Sequence, residues 1–256
     1  LYIIDAASTA LRSLEACLGR CDLELEELVS APMVAGMSTL VADERELGAT
    51  IIDMGGGTTG MAVFAEGQLL HTAQLPVGGG HVTNDLARLL STPVAHAERL
   101  KALYGNAAGC TDDERELLPI PLIGEEEHQI AKVPRSMLVS IIRPRIEETF
   151  ELVKERLERS GLTRVAGNRV VLTGGACQLG GVRELAAHML GKQVRLGRPA
   201  ALRGLPDAAA GPAFATAAGL LAWAAGAGRA MPDIDLDSVP PSGVLRRVAD
   251  FIRNRL

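Results

Sequence analysis

The sequence predicts an α/β protein, because short apolar runs rich in β-branched residues alternate with helical patterns. Residues 51–64 form the clearest unit: a strand, a turn with three glycines and a second strand. Residues 170–176 repeat the arrangement of a strand that ends in a glycine turn. Of the 256 residues, 47% are hydrophobic and only 3% are aromatic, so a sizeable core can form and must be largely aliphatic.

Helices are predicted where apolar residues recur at helical spacing: residues 9–20, a segment opening at 31–32, a segment starting near 83, and residues 94–104, 137–160, 182–190 and 212–225. Strands are predicted at residues 25–29, three times within 49–76, and at 194–197. The polar segment 106–129 predicts short edge strands or a loop.

Four local features carry further expectations. Cys17 and Cys21 lie four residues apart on the first helical pattern, so we expect buried neighbours. The charged run 43–46 predicts a solvated exit from the second helix. Pro144 lies inside the long helical pattern, so we expect a break or kink there. The alanine-rich helix at 212–225 is expected to be buried.

The turn after residue 53 suits phosphate binding. Glycines can adopt positive φ and point successive N–H groups into one concavity, and threonine hydroxyls can add donors. The turn residues that could donate in this way are Gly55, Gly56, Gly57, Thr58 and Thr59. Asp53 ends the strand and could hold a phosphate-bound Mg²⁺ directly or through water. The alternative is a structural hairpin with a satisfied aspartate.

Two common phosphate motifs do not fit this turn. No Gly-Lys-Ser/Thr follows, so it is not a Walker A loop, and a strand rather than a helix follows, so it is not the dinucleotide fingerprint. The net charge of −5 argues against broad nucleic-acid binding, which needs a basic face.

The four cysteines fit no zinc spacing, which favours reduced thiols and a cytoplasmic protein. No apolar run of 18 residues occurs, so no membrane-crossing helix is predicted. The sequence starts without Met on an apolar run, and we therefore expect it to begin inside a longer protein.

The segment 243–256 predicts an amphipathic helix that lies in a membrane interface. It follows an acidic, proline-containing linker at 231–242 and combines a bulky apolar face with flanking arginines. The residues expected to contact an anionic membrane are Val244, Leu245, Arg246, Arg247, Val248, Phe251, Ile252, Arg253 and Arg255. The alternative is a terminal helix that docks on its own domain or on a partner.

Four motifs, in order, resemble the actin-like ATPases, the superfamily of actin, heat-shock chaperones and sugar kinases. They are residues 31–36 (first connecting helix), 53–59 (second phosphate loop), 172–175 (adenosine loop) and 214–219 (second connecting helix). Within that superfamily the chain resembles the FtsA family of bacterial division proteins over nearly its whole length, including the tail. The resemblance implies an actin-like (ribonuclease H-like) α/β fold that is incomplete at its N-terminus.

The resemblance also implies a bound ATP with Mg²⁺. Gly55, Gly56, Gly57 and Thr58 would then hold the β- and γ-phosphates, with Asp53 near the metal. Glu98 and Lys101 would reach the ribose and the adenine, and Gly174 and Gly175 would line the nucleoside. Related filament proteins carry a glutamate just before the proline of the first connecting helix, where this sequence has Ser30-Ala31-Pro32. We therefore expect at most weak ATPase activity, with ATP acting as a conformational ligand.

Subdomain boundaries follow from the same resemblance. Residues 1–47 would be a remnant of subdomains 1C and 1A, with residues 1–5 as a last strand of 1C. Residues 48–80 and 167–228 would form subdomain 2A around subdomain 2B at 81–166. Residues 229–242 would be a linker, and 243–256 the membrane-targeting helix.

The resemblance implies a partner as well. FtsA proteins polymerise and tether FtsZ filaments to the cytoplasmic face of the inner membrane at the division septum. The acidic C-terminal peptide of FtsZ would meet Arg135, Arg143, Arg145 and Glu148. The rival readings are an actin-like small-molecule kinase or chaperone-type ATPase without a membrane role, and a structural filament protein that has lost its nucleotide.

Overall fold

The computed structural model describes residues 3–109, 111–124, 130–200 and 204–227. These residues form strands β1 (Ala49–Met54), β2 (Thr59–Ala65), β3 (Gln68–Leu75), β4 (Leu117–Pro121), β5 (Ile130–Pro134), β6 (Arg169–Thr173) and β7 (Gln193–Leu196). Their α-helices are α1 (Ser8–Gly19), α2 (Ala31–Thr39), α3 (Ala42–Leu47), α4 (Gly79–Leu89), α5 (Val94–Tyr104), α6 (Arg135–Arg159), α7 (Val182–Leu190) and α8 (Ala215–Ala222). Short 3₁₀ turns at Thr111–Glu114, Gly175–Gln178, Asp207–Ala209 and Pro212–Phe214, and a π-helical end at Trp223–Ala227, complete the described elements.

A mixed five-stranded sheet in the order β3-β2-β1-β6-β7 organises the fold. The strands β1, β2 and β3 form an antiparallel meander, and β1, β6 and β7 run parallel. Strands from residues 49–75 and 169–196 therefore share one sheet, although about 90 residues separate them in the chain. A separate two-stranded sheet pairs β4 with β5.

The central strand β1 is buried because its apolar side chains are covered on both faces of the sheet. Ile52 and Met54 join a large core that includes Phe150 of α6, and Ile51 joins a smaller core with Phe64. This alternation follows from the two-residue period of a strand.

Helices α2 and α8 pack closely enough for the backbone of one to contact the other. A Cβ on Gly219 of α8 would collide with the carbonyl oxygen of Val34, and one on Gly36 would lie 2.5 Å from the ring of Phe64. Only one face of the last helix is buried, however, since Leu220 and Leu221 are exposed.

Several expectations for the first fifty residues are wrong. Residues 25–29 form no strand, and neither do residues 3–5, because no neighbouring strand in the described part of the chain pairs with them. Cys17 and Cys21 are exposed, since no residue of α1 is buried against another element. Glu44 is not solvated, because it pairs with Arg195 and keeps only 11% of its side chain exposed.

Two helix expectations also change. The helix α4 begins at Gly79, four residues before the expected start, and α6 begins at Arg135. Helix α6 continues through Pro144 without a break, although a proline supplies no N–H for the helical hydrogen bond at that turn.

Candidate functional site

A cavity of about 560 Å³ lies at the carboxyl ends of β1 and β6. The parallel strands β1 and β6 deliver their following turns to the same edge of the sheet, where ligand sites of open α/β sheets form. The walls of the cavity come from both glycine turns, from α4 and α5, and from one residue of α6. The lining residues are Gly55, Gly56, Gly79, Gly80, Val82, Glu98, Lys101, Ala102, Gly105, Ile146, Gly175, Ala176, Gln178, Leu179 and Gly180.

The first glycine turn is docked directly on the start of α4. The amides of Gly79 and Gly80 donate to the carbonyl oxygens of Gly55 and Gly56 over 2.9 and 2.7 Å. A Cβ on Gly78 would lie 2.6 Å from the carbonyl oxygen of Gly55, so this close approach needs a glycine. The turn and the helix terminus therefore form one backbone surface beside the cavity.

The two threonines of the turn have different roles in the structure. Thr58 is exposed, and its hydroxyl oxygen accepts a 2.7 Å hydrogen bond from the side-chain Nε2 of Gln74. Thr59 is fully buried, and its hydroxyl donates to the carbonyl oxygen of Val77 over 2.7 Å. In this structure the single hydroxyl proton of Thr59 is committed inside the fold, so a phosphate contact by Thr59, which stays a prediction, would require it to leave Val77.

Asp53 lies half-buried at the end of β1. Its Oδ2 accepts a 2.7 Å hydrogen bond from the hydroxyl of Thr216 on α8. Burial raises the pKa of this carboxyl, and the hydrogen bond from Thr216 opposes the rise only in part. A cation would reverse the effect of burial, since it favours the ionised form.

Magnesium fits a single carboxylate of this kind. The described residues contain no cluster of three or more His, Cys, Asp or Glu side chains that could hold a metal. Mg²⁺ is usually bound by one or two carboxylates, substrate phosphates and several waters rather than by an all-protein cage. Asp53 beside the glycine turn matches this donor set.

Glu98 and Lys101 face the cavity from α5 and bind each other at 2.7 Å. The ammonium of Lys101 also donates to the carbonyl oxygen of Gly79 over 3.0 Å and to the hydroxyl of Thr83 over 2.8 Å. The Thr83 hydroxyl in turn donates to Glu98. Burial raises the pKa of Glu98, but the hydrogen bonds from Lys101 and Thr83 outweigh it and hold that pKa below its usual range.

The second glycine turn forms the opposite wall. Gly175 lines the cavity, whereas Gly174 supports the end of β1 with a φ of +83°. A Cβ on Gly174 would lie 2.5 Å from Oδ1 of Asp53. The buried Cys177 follows, and burial together with the charge of Asp53 raises the pKa of its thiol to about 12.

The structure therefore brings one group of the predicted site residues to the cavity wall: Gly55, Gly56, Glu98, Lys101 and Gly175. Asp53 lies at the end of β1, Gly57 and Thr58 belong to the first glycine turn, and Gly174 follows β6 directly.

The sequence reasoning missed the α4 terminus, Gly105, the segment 176–180 and Thr216. The glycines at 78–80, 105 and 180 were available signals. The contact between Thr216 and Asp53 spans 163 residues and leaves no local signal.

The four residues expected to face a partner do not form one open basic patch. Arg135 binds Glu116 at 3.0 Å, Arg143 binds Glu147 at 2.8 Å, and Arg145 binds both Asp85 and Glu148 at 2.6 and 2.5 Å. Arg143 is the most exposed arginine of the set, with 49% of its side chain accessible.

The expected membrane-contacting residues, from Val244 to Arg255, lie outside the described residues. Among the described helices, none has both the length and the apolar character needed to cross a bilayer.

The sequence model of the family "Cell division protein FtsA" matches residues 50–219, which include both glycine turns, the cavity walls and most of α8. The chain belongs to the FtsA family.

Curated relatives agree with this assignment. Cell division protein FtsA of Rhizobium meliloti is 49% identical over 224 residues, which cover 87% of this chain and 51% of that protein. The FtsA of Escherichia coli K12 is 34% identical over 228 residues, which cover 86% of this chain and 54% of that protein. The chain thus spans about half the length of these relatives. The FtsA of Neisseria meningitidis serogroup B is 35% identical over 259 aligned residues. These residues cover 99% of this chain and 62% of that protein.

Solved structures confirm the actin-like fold predicted from the four motifs. MreB5 of Spiroplasma citri bound to ADP superimposes with a TM-score of 0.67 at 17% identity, over 85% of this chain and 65% of that one. A chain of the PilM-PilN type IV pilus biogenesis complex superimposes with a TM-score of 0.64 at 20% identity. The match covers 84% of this chain and 57% of that chain. This chain therefore covers only part of each of these solved structures.

Proposed function

We propose that this chain carries half of the nucleotide site of an actin-like cell-division protein, and that the site takes ATP with Mg²⁺. The observation that supports this most strongly is the cavity itself. In a chain of the FtsA family, one cavity joins a glycine turn, the docked N-terminus of α4 and the Glu98–Lys101 pair. Its volume of about 560 Å³ suits a small-molecule ligand.

Each wall would contact a different part of the nucleotide. The exposed amides of Gly56 and Gly57, with the hydroxyl of Thr58, would face the phosphates. Glu98 would accept from ribose hydroxyls, and Gly175 would let the base approach the backbone. A magnesium ion, when bound, would neutralise phosphate charge beside the ionised carboxylate of Asp53.

We propose that hydrolysis is slow and that ATP acts mainly as a conformational ligand. Ala31 precedes the proline of α2, so no carboxylate occupies that position. Glu98 is held by Lys101 and Thr83, which makes it a poor general base.

A nucleotide-binding assay tests the site. In the protein at its full natural length, we expect Lys101→Met to weaken binding of a fluorescent ATP analogue by about tenfold, roughly the value of one lost charge-assisted hydrogen bond. The matched control is Lys154→Met, because Lys154 lies exposed on α6 away from the cavity. An unmodified protein that fails to bind ATP would overturn the proposed function.

We further propose that the protein self-associates and tethers FtsZ filaments to the cytoplasmic face of the inner membrane at the septum. The subdomain boundaries given above are part of this proposal. Support for the membrane contact comes from the apolar, arginine-flanked pattern of residues 243–256. The Neisseria relative aligns over 99% of the chain and so extends into this tail.

Cosedimentation with vesicles tests the membrane contact. We expect the intact chain to pellet with anionic vesicles and a chain ending at Ser242 to stay in solution. Salt should weaken the pelleting, because each arginine near an anionic surface contributes about 1 kcal/mol that salt screens. Vesicles of a neutral lipid are the control. Equal pelleting of both chains would remove the tail from the proposal.

The FtsZ contact is proposed for the surface around Arg143. This side chain is half exposed, and solvent screening weakens its ion pair with Glu147. Arg143→Glu should reduce binding of the FtsZ C-terminal peptide, whereas Arg159→Glu, at the exposed end of the same helix, should not. Equal effects of the two variants would move the contact elsewhere.

A further inference from the structure

Thr216 is the only side chain in the described part of the chain that hydrogen-bonds Asp53. Its hydroxyl donates to Oδ2 over 2.7 Å, and 163 residues separate the two in sequence. Oδ1 has no hydrogen bond from the described residues and lies on the side of Gly174, where a Cβ would come within 2.5 Å. The carboxylate is thus held at one oxygen by α8, while the other oxygen accepts no hydrogen bond from the described residues.

The position of Thr216 does not depend on this hydrogen bond. The carbonyl oxygen of Pro212 accepts from the backbone amide of Gly174 over 3.1 Å and shares the one hydroxyl proton of Thr173 with the carbonyl oxygen of Gly197, each at 3.1 Å. On the other side, the hydroxyl of Ser38 in α2 donates to the carbonyl oxygen of Ala215 over 2.7 Å. These contacts hold the 3₁₀ turn before α8 and the first residue of α8 in place independently of Asp53.

This arrangement gives the hydroxyl a chemical role. A carboxylate that is half-buried and bound at one oxygen has few ways to rotate, so the direction of its second oxygen is set in advance. Groups that orient a metal ligand without touching the metal commonly change metal affinity by about 10- to 100-fold when they are lost.

We propose that Thr216 is a positioning residue that orients the Asp53 carboxylate toward a phosphate-bound magnesium ion. The inference rests on the proposed nucleotide site. It assigns a role in that site to a residue of the second connecting helix, outside both glycine turns.

The test compares three variants in the protein at its full natural length. Thr216→Val keeps the shape of the side chain and removes the donor, and Thr216→Ser keeps the donor. Ser38→Ala is the matched control, since it removes a different anchor of the same helix end and leaves Asp53 untouched.

The readout separates metal affinity from nucleotide affinity. Binding of a fluorescent ATP analogue is titrated against Mg²⁺ and, separately, measured in EDTA. We expect T216V to raise the Mg²⁺ concentration at half-maximal effect by about tenfold while the affinity in EDTA stays within about twofold. T216S and S38A should both keep the Mg²⁺ midpoint of the unmodified protein within about twofold.

Three results would overturn the inference. An unchanged Mg²⁺ midpoint in T216V would remove the positioning role. An equal loss of affinity with and without metal, or an equal shift in S38A, would show that Thr216 only supports the fold. If circular dichroism shows that T216V is unfolded, Thr216→Ala carries the same expectation.

Failure of the proposed function itself gives a different pattern. If the unmodified protein binds the analogue without any response to Mg²⁺, the metal site is refuted, and the role of Thr216 with it. If the unmodified protein responds to Mg²⁺ and T216V responds identically, only the role of Thr216 is refuted.

Discussion

Replacing Gly174 by alanine should destabilise the protein far more than the same change at another glycine of positive φ. Gly174 has φ +83° and ψ 164°, a combination that is essentially restricted to glycine. An added Cβ would lie 2.5 Å from Oδ1 of Asp53 and 2.7 Å from the carbonyl carbon of Met54. The change therefore adds backbone strain and a collision with β1.

The two costs can be estimated separately. Strain of this kind costs about 1–3 kcal/mol. A collision with backbone that cannot rotate away resembles overpacking of a core, about 1–3 kcal/mol. Together they give a loss of about 4 kcal/mol in the free energy of unfolding. Gly191 is the matched control, because it has φ +62° and ψ 31° at the end of α7, with no atom within 4 Å of its Cβ position. Gly191→Ala should cost only about 1 kcal/mol.

Urea denaturation of both variants beside the unmodified protein measures the difference. We expect G174A to lose about 3 kcal/mol more than G191A at an unchanged slope. If G174A were no less stable than G191A, the ends of β1 and β6 would have room that the structure does not show. The account of Gly174 as a required contact beside Asp53 would then be wrong.

Three further predictions test other parts of the structure. Glu44→Gln should cost about 2 kcal/mol near neutral pH, because it removes the charge that Arg195 binds. Thr59→Val should lower the stability by about 1–2 kcal/mol, since it leaves the partly buried carbonyl of Val77 without this donor, while ATP affinity stays unchanged. In a Cys110→Ser background, a thiol reagent at pH 8 should modify the exposed Cys17 and Cys21 rapidly in the folded protein. It should modify Cys177 only on unfolding, because the pKa of the Cys177 thiol is raised to about 12.

The Glu44 prediction includes a pH dependence and has a matched control in an exposed ion pair. Burial raises the pKa of Glu44, but the hydrogen bonds and charge of Arg195 hold it below the usual value. Because the unfolded chain then binds the proton more tightly, the stabilisation is complete above the usual carboxyl pKa and is lost as the pH falls through the folded pKa. The difference in the free energy of unfolding between the unmodified protein and E44Q should therefore disappear at acidic pH. Glu155→Gln, in an exposed pair with Arg159, should cost less than about 0.5 kcal/mol.

The other two predictions fail in recognisable ways. A T59V protein with normal stability and a tenfold loss of ATP affinity would place that hydroxyl on the phosphate after all. Rapid modification of Cys177 in the folded protein would show that the wall behind Asp53 opens to solvent.

The sheet and both glycine turns were predictable because their signals are local. Residues 51–64 combine β-branched runs with glycines at the turn, and a strand period of two then decides which side chains enter each core. By contrast, α4 begins at Gly79 against the low helix propensity of glycine. Its first turn exists because the amides of Gly79 and Gly80 bind the carbonyl oxygens of the earlier turn, a tertiary contact that no local pattern encodes.

The burial of charged residues also depends on distant partners that a local sequence pattern does not reveal. The run 43–46 has the composition of a solvated surface, yet Glu44 binds Arg195, 151 residues away, on the edge strand of the sheet. Residues 25–29 have the composition of a strand but no neighbour in the described part of the chain to pair with. In both cases the sequence specifies what a segment could do, and the distant partner decides the outcome.

The Glu98–Lys101 pair illustrates how such partners also constrain function. The ammonium of Lys101 has three protons, and the structure uses all of them, on Glu98, Thr83 and the carbonyl oxygen of Gly79. A nucleotide oxygen that binds Lys101 must therefore replace one of these acceptors. Glu98 is the easiest to replace, because more than half of its side chain is exposed and water can solvate it once released. The bond to Gly79 would remain, so Lys101 would connect a bound nucleotide to the first turn of α4, which is docked on the first glycine turn.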